Sequence, residues 1–138
     1  MAGNFEMFDH TADLGIRIRG ANEREVFEAA PAALYAAIGR VTAIGEATTQ
    51  SIELQADDHA MMLRDFMAEL LNSFEVDGQV TAETQVELSD HTMIAKISMQ
   101  SLDHEKSELQ REVKAITYHD LSFTKTTEGC VAEVIVDI

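Results

Sequence analysis

The chain has 138 residues, enough for one domain spanning residues 1–138 that buries roughly two-thirds of the surface its unfolded form exposes. Hydrophobic residues make up 46% and charged residues 25%, the balance of a soluble globular protein, and no apolar run approaches the roughly 20 residues of a membrane span. Acidic side chains number 25 against 10 basic ones, and a formal net charge of −15 argues against strong direct binding of nucleic acid, whose phosphates need Lys and Arg.

The opening "MAGNFEMFDH" has neither the basic region nor the apolar core of a signal peptide, so the cytoplasm is the expected compartment. "HTADLGIRIRG" then alternates with period two. Leu14, Ile16 and Ile18 fall on one face and Asp13, Gly15, Arg17 and Arg19 on the other, which predicts a half-buried strand with Asp13 at its start on the wetter side. "NEREVFEAAPAALYAAIG" predicts a helix capped by Asn22, with Glu25 completing a capping box and Gly39 at the end. Pro31 within it removes one hydrogen bond and predicts a kink.

"TQSIELQA" reads as a short strand. In "DDHAMMLRDFMAELLNSFEVDG", Leu63, Phe66, Met67, Leu70, Leu71 and Phe74 recur at three and four, predicting a core helix capped by Asp57 or Asp58 and closed by Asp-Gly. "TAETQVELSDHTMIAKISMQ" predicts a hairpin turning near Ser89-Asp90, and the polar "SLDHEKSELQR" an exposed loop. "REVKAITYHDLSFTKTTEGCVAEVIVDI" continues as strands turning near Tyr118-His119 and at Glu128-Gly129. This order predicts an α/β (α+β) domain of two layers, with two helices on one face of a mixed, mostly antiparallel sheet. Cys130, the one cysteine, sits in an apolar alternating run and reads as a small core residue.

Two clusters carry chemistry. Asp9, His10 and Asp13 lie within five residues, and Asp137 is followed by Ile138 with its α-carboxylate. Oxygen donors fixed at a strand end suit a hard divalent cation, Ca²⁺, Mg²⁺ or Mn²⁺, better than zinc. The plainer reading makes Asp137 a solvated end residue, with Asp9 or Thr11 capping a turn. The second cluster, "TYHD", sets Thr117, His119 and Asp120 close together, and His119 or His10 is a candidate acid–base group. No nucleophile elbow, Cys-His pair or phosphate-cradling Gly loop accompanies it. His59, His91 and His104 read as surface residues.

"DHTADLGI", "EVKAITYHDL" and the terminal "VIVDI", in that order, resemble the archease family, and "LLNSFEVDG" fits its Leu-rich helix. The resemblance spans essentially the whole chain. It implies an accessory protein rather than an enzyme, one that promotes guanylylation and repeated turnover of the GTP-dependent RNA ligase of tRNA splicing. That ligase joins 3′-phosphate or 2′,3′-cyclic phosphate ends to 5′-hydroxyls. Carried over by motif, the metal ligands are Asp13, Asp137 and the Ile138 carboxylate. Asp9, His10, Lys114 and His119 are candidates for support or partner contact. The chain departs from the family pattern at Gln100-Ser101, where a Gly-Glu pair is common, and at Val136, where Phe is commoner. The alternatives are a metal-dependent phosphoester hydrolase using the same carboxylates with His10 or His119, and a metal-free interaction or chaperone-like module.

Overall fold

The computed structural model describes residues 3–10 and 13–138. In chain order the elements are β1 (Asn4–His10), β2 (Asp13–Gly20), α1 (Glu23–Ile38), β3 (Gly39–Arg40), β4 (Ala43–Gln55), α2 (His59–Asp77), β5 (Gln79–Leu88), β6 (Thr92–Leu102), β7 (Glu108–Leu109), β8 (Ala115–Ile116), β9 (Ser122–Thr126) and β10 (Gly129–Asp137). The α+β class with two helices and antiparallel pairing is as expected. The strands are shared among three sheets rather than joined in one, and every pairing is antiparallel.

The five-stranded sheet runs β1-β2-β10-β8, with β9 also pairing along β10. Leu14, Ile16 and Ile18 of β2 share a face with Val136, Val134 and Ala132 of β10, and all six are buried. Both helices occupy the core: α1 packs on β1, β2 and β10 and also on β5, while α2 packs on α1, β4, β5, β8 and β9. Phe27 of α1 and Phe66 of α2 are fully buried with ring centroids 6.4 Å apart.

The helix ends follow their sequence signals. Asn22 Oδ1 accepts from the Glu25 backbone N–H and satisfies one orphan donor, while Glu25 Oε1 accepts from the N–H of Ala21, one residue before the cap, rather than from that of Asn22 as a capping box requires. At α2 the cap is Asp58, whose Oδ1 accepts from the Met61 N–H. Gly78 closes that helix at φ 62°, a left-handed conformation that suits glycine, with its N–H on the Phe74 carbonyl. Pro31 is buried in α1, which continues through it as one helix.

Three segments differ from expectation. β1 was absent from the periodicity because "NFEMFDH" is an edge strand whose pattern is broken by the adjacent Met7-Phe8 pair. β4 is longer than "TQSIELQA" because its first half is polar and exposed, held by pairing with β6 rather than by burial. The "SLDHEKSELQR" segment is ordered in part: buried Asp103 accepts from the Glu105 and Lys106 N–H groups, and β7 pairs with β3. Cys130 is buried as expected, with its thiol donating to Glu23 Oε1 at 3.2 Å. Burial, then the neighbouring Glu23 carboxylate, pushes that thiol up to about 11.

Phe66→Ala should destabilise the fold by about 3–5 kcal/mol and Asp58→Ala by about 1 kcal/mol in chemical denaturation. The Cys130 thiol ionises more readily in the unfolded chain, with an ordinary value of 9.0, than in the folded one at about 11. Its contribution to stability is therefore complete below pH 9.0 and lost as pH rises from there toward 11. Cys130→Ala should flatten that alkaline fall, read from denaturation curves on either side of pH 9.0.

Candidate metal-binding edge of the five-stranded sheet

The β2–β10 register brings the two ends of the chain together. Its last pair is Val136 with Leu14. Asp137 and Asp13 are the next residue on each strand, so they stand opposite one another on the face away from Leu14 and Val136. Directly opposed residues of antiparallel strands have Cβ atoms about 4.5–5.5 Å apart. Two carboxylates at that spacing can share one cation with metal–oxygen bonds of about 2.3–2.6 Å. Ile138 follows, half-buried with its side chain against the core, which anchors the residue after Asp137.

The same row extends in both directions. His10 pairs with Asp13 on one side, and Ala115 pairs with Asp137 on the other. The row across the sheet is thus His10, Asp13, Asp137 and Ala115. The Lys114 backbone N–H donates to the Asp137 carbonyl at 2.7 Å, while its side chain is exposed. Asp9 pairs with Leu14, so alternation puts it on the opposite face from His10 and Asp13. The proposed capping role of Thr11 lies outside the described residues.

This face carries no helix and is covered by its own side chains. Phe8 lies opposite Gly15, and a Cβ on Gly15 would collide with the Phe8 ring. Arg17 stands over that ring with its guanidinium carbon 4.6 Å from the centroid. Glu6, Arg17 and Glu133 occupy one register row, and Arg17 donates to Glu133 at 2.6 Å and to Glu6 at 3.2 Å. These hydrogen bonds raise the Arg17 pKa and, together with one from Arg19, lower that of Glu6.

The loop after β8 folds back toward this row. The Ile135 carbonyl accepts from both the N–H and Oγ1 of Thr117, and Thr117 Oγ1 accepts from the His119 N–H. Arg64 of α2 donates to the Ile116 carbonyl and stands 4.2 Å from the Tyr118 ring centroid, holding Tyr118 while His119 reaches the other way. Asp120 takes a left-handed φ of 48°, a conformation Asp tolerates better than most residues. His10 Nε2 donates to Asp120 Oδ2 at 2.9 Å, and the His10 and His119 rings meet edge to face with centroids 5.1 Å apart. The hydrogen bond from His10, then the charge of His119, holds the Asp120 carboxyl below the usual carboxylate range. The sequence put Asp120 in the "TYHD" cluster without assigning it a role. Its partner His10 is 110 residues away, and the one sequence signal was its place beside His119 in "TYHD".

His59 is more than a surface residue: it packs against the Phe27 and Phe123 rings and donates to the Ser89 carbonyl. A groove of about 610 Å³ beside it is lined by Glu23, Asp58, His91 and Lys125 among others, and by none of His10, Asp13, His119, Asp120 and Asp137.

The model of the archease protein family (MTH1598/TM1083) matches residues 5–138. The chain belongs to the archease family. Archease from Pyrococcus abyssi is 34% identical over 97% of this chain and 98% of its own, and that from Methanosarcina barkeri 35% identical over 97% and 95%. Among solved structures, Methanobacterium thermoautotrophicum protein 1598 superposes with a TM-score of 0.70 at 26% identity, covering 97% of this chain and 98% of that one. An archease from Thermotoga maritima (TM1083), described as a possible chaperone, shares the fold with a TM-score of 0.70 at 20% identity and 96% coverage of both chains. No helix among the described residues of this archease is long and apolar enough to cross a membrane.

Gly15→Val should force Phe8 off the sheet, costing about 1–3 kcal/mol in denaturation. The His10 and Asp13 resonances should shift with it, because they share the adjoining strand ends.

Proposed function

We propose that this archease is a metal-binding activator of the GTP-dependent RNA ligase that seals 3′-phosphate or 2′,3′-cyclic phosphate ends, promoting ligase guanylylation and multiple turnover in tRNA splicing or RNA repair. In this reading Asp13, Asp137 and the Ile138 α-carboxylate hold one divalent cation, Ca²⁺, Mg²⁺ or Mn²⁺. The observation that carries it is the β2–β10 register, which ends on Val136 opposite Leu14 and leaves Asp137 and Asp13 as the next residue on each strand. An all-oxygen, all-anionic donor set matches hard cations. Bound there, the ion supplies positive charge at an otherwise acidic tip.

Family membership supports the accessory role, and the net charge of −15 supports the choice of partner. A ligase that grips RNA and GTP phosphates presents basic surface, and opposite potentials speed encounter and align the partners. RNA itself is a poor direct ligand for this surface. Asp13 and Asp137 bind the ion, His10 flanks Asp13, and Lys114 and His119 are exposed beside them as contacts for the ligase.

The test is ligase guanylylation with wild-type protein, Asp13→Ala, Asp137→Ala and a version extended beyond Ile138, alongside cation binding by calorimetry. Either alanine variant should keep its circular dichroism spectrum, weaken cation binding at least about tenfold and abolish activation. The extension should weaken both by displacing the terminal carboxylate. Activation that persists in chelator, or phosphoester turnover by the protein alone, would replace this reading with the interaction module or the hydrolase.

A further inference from the structure

Beside the Asp13 and Asp137 carboxylates stand three groups that the oxygen site does not use as ligands. His10 Nε2, His119 Nε2 and Asp120 Oδ2 come from two segments far apart in sequence, yet the ligating atoms of these residues lie within 4.8 Å of one another. His10 Nε2 is 2.9 Å from Asp120 Oδ2, and His119 Nε2 is 3.5 Å from the same oxygen. Donors around a tetrahedral zinc-class ion with bonds of roughly 2.0–2.1 Å are separated by about 3.3 Å. Both separations are within a few tenths of an ångström of that value. Neither Asp13 nor Asp137 joins this group.

A hydrogen-bond lock between strand and loop accounts for His10 and Asp120 but not for His119. The His119 ring makes no hydrogen bond among the described residues, and its Nε2 stands 3.5 Å from the Asp120 carboxylate. The His10 and His119 ring planes are inclined at 73°, so the two imidazoles converge edge to face rather than stacking. His10 Nδ1 is buried without a hydrogen-bond partner among the described residues, which leaves Nε2 as the atom it offers to the cluster. The donor set differs in kind from that of the neighbouring carboxylates. Two nitrogens and one oxygen suit zinc and its transition-metal neighbours, which imidazole favours, over calcium or magnesium.

We propose that His10, His119 and Asp120 form a second cation site, for a zinc-class transition ion, beside the oxygen-donor site of Asp13 and Asp137. As the metal binds, the His10 Nε2 proton passes to Nδ1, the His10–Asp120 hydrogen bond gives way to two metal bonds, and His119 adds a third. Three protein donors leave the fourth tetrahedral position open to water or to a donor atom of a partner. The ion would staple the loop after β8 to the end of β1, the two segments that frame the chain-end carboxylates. The inference stands on the geometry of these three residues and does not require the ligase role.

The experiment is titration of the full chain with Zn²⁺ against a chromophoric competitor, and with Co²⁺ followed by its visible absorption. Calcium binding is measured in parallel for wild type, His119→Ala, Asp120→Asn and Asp137→Ala. One Zn²⁺ per chain is expected, weakened at least about tenfold in His119→Ala and Asp120→Asn, the cost of losing even a supporting partner of a metal ligand. Asp137→Ala should retain Zn²⁺ and lose Ca²⁺, while His119→Ala should do the reverse. X-ray absorption at the zinc edge should show two imidazoles. Zinc affinity unchanged by both His119→Ala and Asp120→Asn, or a spectrum without imidazole ligands, overturns the second site. Loss of both ions together in Asp137→Ala would mean a single shared site and overturn it equally. Loss of calcium binding in none of the variants counts against the oxygen site alone.

Discussion

The pairing of β2 with β10 is the interaction on which the rest of this molecule depends. It joins a strand that begins at residue 13 to one that ends at residue 137, in the middle of the largest sheet. One face of that pair is buried under the helices, and this fixes the register. A slip of one residue would turn Leu14, Ile16, Val134 and Val136 outward and carry Asp13 and Asp137 into the core. Opposed like charges on a strand pair cost on the order of 1 kcal/mol or less, against roughly 1.5–3 kcal/mol for each fully buried aliphatic side chain. Burial wins by a wide margin. The core therefore sets two acidic groups side by side that would otherwise separate.

The opposite face of the sheet has no helix to cover it and solves the problem with side chains. Phe8 fills the space left by Gly15, Arg17 caps the ring, and Glu6 and Glu133 flank Arg17 from the neighbouring strands. At the end of the sheet the loop carrying His119 and Asp120 reaches across to His10 and closes the remaining gap. Thr117 and Arg64 hold that loop from below, through the Ile135 and Ile116 carbonyls. The sheet edge is thus built from the first strands, the last strand and the loop before β9, and it brings titratable groups together.

Much of this was legible in the amino-acid order. Period-two alternation in "DLGIRIRG" assigned β2 and its buried face, because a pleated strand with one wet side admits few other patterns, and the apolar alternating run around Cys130 marked β10. The 3–4 spacing of Leu63, Phe66, Met67, Leu70 and Leu71 and the Asn22 and Asp58 caps placed the helices. The edge strand β1, the polar half of β4 and the short β3–β7 pair were hidden, since each is held by backbone pairing to a partner distant in sequence and carries little apolar signal of its own.

What the sequence determined by itself is local: which residues alternate, which repeat along a helix, where the caps fall, the acidic balance, and the motifs that mark the archease family. Only the tertiary structure decided which distant groups meet. The opposition of Asp13 and Asp137, the convergence of His10 with His119 and Asp120, and the stacking of Arg64 on Tyr118 all cross gaps of 50 residues or more. Strand register and loop path set those contacts, and both are properties of how the whole core packs rather than of any one segment.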